Sequence, residues 1–530
     1  MRRVRDCFIL MTLAGLAFGL APKAVSQGDT QRSHGEWWQF NGGYDATRFS
    51  PLTQINTNNV GSLREVARYK IPETMSFQSD PVVVGGMLYV TTLHNTYAID
   101  ARTGQQRWVR HHDLKNPGPG RLGRGVAYAD GRVFRGLTDG HVLAMNASTG
   151  DVIWDVIGAD SKAGEFYTAA PVVWEGRVYL GNAGSDYGGI GHIKAFDAKT
   201  GKQLWSFDTV PSAGEAAKTW PSEPNKFKAG GGTYTSYALD PEAGLLYSPV
   251  GNPGPDFVRE YRSGDNLYTC SVIILDARTG ELKGYRQLVK NDFHDWDLAA
   301  SPILFTSRAG RKMVAAAGKN GYLYGLSRDL QELFFQIPVT RIENVDAPLT
   351  AEGTHFLPGV HGGTNFYGPS YSPPLNTLFV PAIDRGTTIK LAPPEALKHN
   401  PPRPFTGAAN RFGDHDAQRF GHITAVDADS GHVLWKYDTD TPMVASVTPT
   451  AGGLILTGDT KGHFLAFDAS NGNVLLKEDL GDPIGGGIVP YMLDGIQYIA
   501  VAGGMDNPQI QTESGPAWVA ILSLSDRSNR

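Results

Sequence analysis

Short stretches of alternating apolar and polar residues run along the chain, each opened by a glycine turn, as in Gly131-Arg132-Val133-Phe134 and Gly176-Arg177-Val178-Tyr179. Alternation with period two between glycine turns predicts strands rather than helices. One phrase then recurs: Ala98-Ile99-Asp100-Ala101-Arg102-Thr103-Gly104 with Trp108, Ala144-Met145-Asn146-Ala147-Ser148-Thr149-Gly150 with Trp154, and Ala195-Phe196-Asp197-Ala198-Lys199-Thr200-Gly201 with Trp205. It returns at Asp276-Ala277-Arg278-Thr279-Gly280 with Tyr285, at Asp427-Ala428-Asp429-Ser430-Gly431 with Trp435, and at Asp468-Ala469-Ser470-Asn471-Gly472. In each copy the alternating residues read as a strand, Asp with Thr-Gly as a tight turn, and the aromatic as the start of the buried face of the next strand.

Strand, turn and strand at intervals of about 40 to 50 residues predict four-stranded blades closed into a ring. The expected fold is all-β: a single-domain β-propeller of about eight blades. The intervals from Asp197 to Asp276 and from Ser327 to Asp427 are wider, and the second hides a blade near residues 379–384. Long loops inserted there are expected to build a site at one face of the ring. Residues 393–416, rich in Pro, Asn and Gly, read as such a surface loop rather than a linker, because the repeat resumes at Gly421.

Composition agrees: among 530 residues, 64 Gly and 33 Pro with only 19% charged residues suit short strands and many turns. The N-terminus differs from the rest. Met1-Arg2-Arg3-Val4-Arg5, an apolar run over 8–21 and small residues at Ala24 and Ser26 form a secretory signal pattern. The run is too short for the roughly 20 residues of a membrane span. The expectation is a leader at 1–26, a mature chain of 27–530 without a membrane span, and a periplasmic location. The formal charge of −5 becomes more negative once the leader's arginines leave, which argues against a nucleic-acid partner.

Of two cysteines, Cys7 belongs to the leader, so Cys270 is expected to be a lone, buried and inert thiol. No Cys-x-x-Cys-His occurs, which excludes covalent haem attachment in this sequence. Any electrons released are expected to pass to another protein.

The repeat by itself serves enzymes and non-catalytic scaffolds alike. Longer motifs discriminate: Trp37-Trp38-Gln39-Phe40-Asn41-Gly42-Gly43 with Arg48-Phe49-Ser50-Pro51-Leu52, Arg124-Gly125-Val126-Ala127-Tyr128, Gly230-Gly231-Gly232-Thr233, Gly251-Asn252-Pro253, Gly264-Asp265-Asn266-Leu267, His294-Asp295-Trp296-Asp297 and Lys319-Asn320-Gly321. In these motifs and their order, from Trp37 to Gly504, the chain resembles the pyrroloquinoline-quinone (PQQ) alcohol dehydrogenases.

The resemblance implies PQQ, a flat quinone with three carboxylates, and a calcium ion. It places Arg124 on a cofactor carboxylate, where a guanidinium bonds in a bidentate way. Gln78, Thr168, Ser185 and Asn365 fall at cofactor-side positions, and Tyr234 stands where relatives stack a tryptophan. Asp186, Asn252 and Asp297 match the metal ligands, oxygen donors of the kind calcium prefers. Asp186 is shorter than the usual glutamate. Ala299, where lanthanide-dependent relatives place an extra aspartate, favours calcium. Asp297 is implied as the general base that takes the alcohol's proton as hydride moves to the quinone, with Lys319 beside the developing oxyanion. Asp295 is the rival base, because the local spelling is one residue tighter than the common motif. For Lys319 the alternative is a structural ion pair, and for Arg124 a surface arginine. The vicinal cysteine pair of the alcohol enzymes is absent from 118–123, and loop 442–453 lacks the aromatic that narrows the pocket in small-alcohol enzymes, which implies a roomier one.

The expected function is oxidation of an alcohol, with a separate cytochrome c as electron acceptor. A sugar or polyol dehydrogenase and a propeller scaffold that has lost catalysis are the alternatives.

Overall fold

The computed structural model describes residues 35–223, 226–507, 510 and 514–524. The predicted leader lies outside these residues. Eight four-stranded antiparallel sheets form the ring, and two smaller sheets, one of two strands and one of three, lie outside it. Blades 1 to 7 follow the chain, beginning at the strands Val82–Val84, Ala127–Ala129, Val172–Trp174, Ala238–Asp240, Ile303–Thr306, Ser370–Ser372 and Thr448–Pro449. Blade 8 takes three strands from the C-terminal end and its outermost, Leu63–Thr74, from near the N-terminal end. Pairing Leu63 with Leu524 and Thr74 with Pro516 closes the ring by backbone hydrogen bonds between its two ends. The hidden blade is present: Thr377–Asp384 is the second strand of blade 6.

The repeated phrase explains how neighbouring blades hold together. Asp100 Oδ1 accepts from the backbone N–H groups of Arg102 and Thr103, and Asp197, Asp276 and Asp427 repeat the turn. The tryptophan after it reaches into the next blade. Trp108, Trp154, Trp205 and Trp435 donate their indole N–H to the carbonyls of Ala147, Ala198, Ala277 and Ala469, the alanines of the following copies. Each ring covers the following copy's glycine: a Cβ on Gly150 would lie 2.7 Å from Trp108. The Gly thus serves a left-handed turn and an inter-blade contact together.

Residues 37–50 cross the inside of the ring. Trp37 pairs with Val83 of blade 1, the Trp38 carbonyl accepts from Tyr128 of blade 2, and the Tyr44 hydroxyl reaches Val173 of blade 3. The carbonyls of Tyr44, Asp45 and Thr47 accept from Leu239, Leu304 and Tyr371 in blades 4, 5 and 6, and Ser50 N donates to Pro449 in blade 7. Arg48 completes the circuit at Ile488 of blade 8. The segment is therefore a plug that ties the inner strands together.

Antiparallel order puts the two ends of the ring to different uses. The Asp-Thr-Gly turns join third to fourth strands at one face, while loops between second and third strands share the opposite face with the connections between blades. Gln78, Arg124, Thr168, Tyr234, Asp297 and Asn365 lie on segments leading into a first strand, and Ser185, Asp186, Asn252 and Lys319 on loops between second and third strands. All the sequence-predicted site residues consequently share one face.

Candidate active site

At one side of this face stands Arg124, buried, its Nη1 donating 2.8 Å bonds to Thr168 Oγ1 and to the Tyr234 carbonyl. Its Nε has no partner, and no carboxylate lies within ion-pair distance among the described residues. Tyr234 and Phe366 flank the guanidinium with ring centroids at 5.3 and 5.5 Å. Burial draws the Arg124 pKa down to about 10. A buried guanidinium with no acid beside it and a bare Nε is able to receive an anion.

Across Tyr234 the charge reverses. Asp297 Oδ1 accepts from Asn252 N at 2.9 Å, and Oδ2 accepts from the Tyr234 hydroxyl at 3.0 Å and forms an ion pair with Lys319 Nζ at 2.5 Å. Lys319 also reaches Asp295 at 3.3 Å, and its backbone N–H bonds to the Asp297 carbonyl. Gly251 allows this approach, since a Cβ there would lie 2.5 Å from Asp297 Oδ1. Burial alone would lower the Lys319 pKa, but Asp295 and Asp297 outweigh it and hold the ammonium well above its ordinary range. Burial raises the carboxyl of Asp295 well above the usual range, with help from Asp186 and Asp297 and against Lys319. The Asp186 carboxyl is pushed up to about 6, by burial first and by the Asp297 charge second.

The remaining predicted residues fall around this pair of sites. Ser185 Oγ accepts from Gly232 N, and Thr168 Oγ1, besides receiving Arg124, donates to the Tyr234 carbonyl. Gln78 is buried, donates to Ser76 and leaves its Oε1 bare. Asn365 is half-buried beside the loop that packs Gly363 against the Lys319 carbonyl. Cys270 is buried, as expected, and donates to the Trp296 carbonyl.

Three contributions were not foreseen. Asp256 is fully buried beside Asn252 and accepts from its Nδ2 at 3.0 Å. Arg262, also fully buried, bonds the carbonyls of Pro255, Asp256 and Asp292 and the side chain of Asn266, clamping the loop of Asn252 to that of Asp297. The loop 393–416 is packed onto the site: Phe405 N donates to the Asp186 carbonyl, the Thr406 carbonyl accepts from Phe257 N, and His399 meets the Gly188 carbonyl.

The residues suit the groups that the sequence motifs imply. An uncompensated guanidinium fits a carboxylate of PQQ. Asn252 turns its Nδ2 toward Asp256 Oδ1 and the Pro253 carbonyl, so its bare, buried Oδ1 points the other way, as a cation's ligand would. Among the described residues no group of three or more His, Cys, Asp or Glu is arranged to hold a metal ion. The expected ligand set therefore depends on the amide as well as on carboxylates.

A family model described as "Glucose/ethanol/alcohol dehydrogenase, beta-propeller domain" matches residues 37–339, a span containing every predicted site residue except Asn365. A second, described as "Outer membrane protein assembly factor BamB", matches residues 419–512 and contains none of them. The quinoprotein alcohol dehydrogenase PedH of Pseudomonas putida is 29% identical over 512 residues, covering 87% of this chain and 85% of the relative. The quinohemoprotein alcohol dehydrogenase ADH-IIG of Pseudomonas putida is 31% identical, covering 89% of this chain and 72% of the relative. The solved structure of that quinohemoprotein matches 96% of this chain and 83% of its own with a TM-score of 0.85 at 27% identity. In fold, in the span that carries the site and in its relatives, the chain belongs to the PQQ-dependent, or quinoprotein, alcohol dehydrogenase family.

Proposed function

We propose that this protein oxidises an alcohol to an aldehyde or ketone, with PQQ held between Arg124 and Lys319 and a calcium ion held by Asp186, Asn252 and Asp297. The observation that carries the reading is the division across Tyr234, whose carbonyl receives an unpaired arginine while its hydroxyl donates to the acid cluster. Bound PQQ supplies the two-electron acceptor, and the calcium ion beside it the Lewis acid.

The chain's own residues supply the proton chemistry and the orientation. Asp297 takes the substrate's hydroxyl proton, and its carboxylate is aimed by Asn252 N, Tyr234 and Lys319. Lys319 stays protonated because two carboxylates hold it, so it serves as a donor to developing negative charge. Asp295 is the less suitable base. Its bonds to Lys319 are longer, at 3.3 and 3.4 Å, and it serves to hold the ammonium in place. Arg124, Thr168 and Gln78 would hold the cofactor's carboxylates, and Ser185, Asn365 and Tyr234 would contact the rest of it.

The alcohol is the substrate class named for the relatives. A sugar or polyol is the second reading, favoured by the lack of an aromatic in loop 442–453, which leaves room for a larger substrate. With no c-type haem motif in the sequence, a separate cytochrome c is the proposed acceptor, and the leader pattern at 1–26 supports a periplasmic location. No helix among the described residues is long and apolar enough to cross a membrane.

Dye-linked alcohol oxidation tests the reading, with PQQ and calcium added together and each omitted in turn. Activity that requires both is expected. Activity without PQQ, or none with both, would overturn it.

A further inference from the structure

The segment Asn291-Asp292-Phe293-His294-Asp295-Trp296-Asp297 carries a third aspartate that the proposed reaction does not use. Asp292 is 1% exposed and gives both carboxylate oxygens to the backbone of its own segment: Oδ1 accepts from His294 N at 3.1 Å and Oδ2 from Trp296 N at 2.9 Å. Oδ1 also stands 3.6 Å from Nδ1 of His294. The two N–H groups belong to no strand, and buried without a partner they would cost free energy. One side chain therefore holds the turn closed.

The turn is pinned at both ends. At its base Arg262 Nη2 bonds the Asp292 carbonyl, while Asn291 Nδ2 donates to the carbonyls of Arg262 and Gly264 at 3.0 and 2.7 Å and to Asn266 Oδ1 at 3.0 Å. At its far end Trp296 is held from three sides: its backbone N–H by Asp292, its carbonyl by Cys270 Sγ at 3.3 Å, and its indole N–H by the Pro358 carbonyl at 3.0 Å. Asp295 and Asp297 flank this fixed residue. Asp295 takes a left-handed φ of 64°, which aspartate tolerates better than most residues. Both acids then reach the same ammonium, Lys319 Nζ, at 3.3 and 2.5 Å, and Asp297 Oδ1 meets Asn252 N. The tight spelling of the segment thus aims two acids at one lysine.

We infer that Asp292 is a positioning residue for the general base. It closes the turn that presents Asp297 to Asn252 and Lys319, and it acts through the backbone of Trp296. The inference rests on the proposed role of Asp297 and adds the group that sets its place. Displacing a reacting group by about 1 Å costs about 10²-fold in rate.

The test is steady-state alcohol oxidation at saturating PQQ and calcium by wild type, Asp292→Asn and Asp292→Ala, with the PQQ affinity of each measured by absorbance titration. The asparagine keeps one acceptor for the two N–H groups, and the alanine keeps none. kcat is expected to fall about 10-fold in Asp292→Asn and about 10²-fold in Asp292→Ala. Alcohol KM and PQQ affinity are expected to stay within about twofold, because Arg124 and Thr168 are anchored on the Tyr234 carbonyl and not on this turn. A kcat within about twofold of wild type in folded Asp292→Ala would overturn the inference and leave Asp297 standing as the base. So would a loss of PQQ affinity as large as the loss of kcat, which marks a general loosening of the site rather than a displaced base. Failure of both variants to fold would make Asp292 a support of the fold alone and overturn it equally. A wild type inactive with both PQQ and calcium would remove the proposed reaction, and the inference with it.

Discussion

Two buried charge clusters lie one hydrogen bond apart, since Asp80 N donates to the Arg124 carbonyl, and they are built on opposite terms. In the plug, Arg48 and Asp80 form a bidentate pair at 2.9 and 3.1 Å, and the pair is fully supplied: Asn41 donates its backbone N–H to Asp80 and accepts from Arg48, while Thr448 and Ile488 take further guanidinium bonds. Trp37 and Tyr367 cover the guanidinium with their rings. At the site, Arg124 has no acid, Lys319 is shared by Asp295 and Asp297 with the charge of Asp186 also acting on it, and Asn252, Asp256 and Gln78 keep bare oxygens. A charge cluster that serves the fold is closed on itself, whereas one that serves chemistry is left open for what it binds.

The comparison predicts that damage at the two places takes different forms. Asp297→Asn should lower kcat by about 10³-fold, within the range for loss of a general base, and leave the melting temperature close to wild type. Arg48→Met should do the reverse: stranding Asp80 costs about 3–5 kcal/mol in urea unfolding, while calcium affinity of the folded fraction stays unchanged. A variant at either place that moved both readouts equally would break the distinction.

Arg124→Gln sharpens it. Removing a charged hydrogen-bond donor to a cofactor carboxylate should weaken PQQ by about 10- to 100-fold. Because no protein acid depends on this guanidinium, calcium-free stability should fall little, which thermal melts will show.

The pH dependence is smaller and carries a sign. Asp186 titrates at about 6 in the fold against 3.8 for the ordinary group. Between these values the metal-free fold retains a proton that the unfolded chain releases, so its stability falls as pH rises through that window. Calcium bound at the proposed site would cancel the penalty. The melting-temperature gain from calcium should therefore be larger at pH 7.5 than at pH 5, and an equal gain at both would contradict the assignment of Asp186. Smallest of all, Trp154→Phe removes one inter-blade bond to Ala198 and should cost about 0.5–1.5 kcal/mol without touching the site.

The ring was legible in the sequence because each blade repeats a local solution, an aspartate turn with a glycine under the neighbouring tryptophan. Blade 6 was the least legible, since the loop 393–416 separates its second and third strands. The plug was not legible at all. Six of its bonds are backbone contacts to distant strands, with the Tyr44 and Arg48 side chains reaching two more, and nothing in Trp37-Trp38-Gln39-Phe40 announces which strands they are. At the site, Arg124, Asn252, Asp297 and Lys319 stood out through motif likeness, and the structure does bring Asn252, Asp297 and Lys319 into contact. Asp256 went unnoticed because an aspartate after Pro-Gly-Pro reads as loop polarity, and only burial marks it as costly. Loop 393–416 read as surface, and its composition could not show that Phe405 and Thr406 dock on the Asp186 and Phe257 loops.

The most direct test of the open cluster is titration of the metal-free protein with PQQ, with and without calcium, followed by absorbance and repeated with Arg124→Gln. The account predicts stoichiometric PQQ binding that calcium tightens and Arg124→Gln weakens. PQQ binding that ignores both calcium and Arg124, or no binding at all, would contradict it.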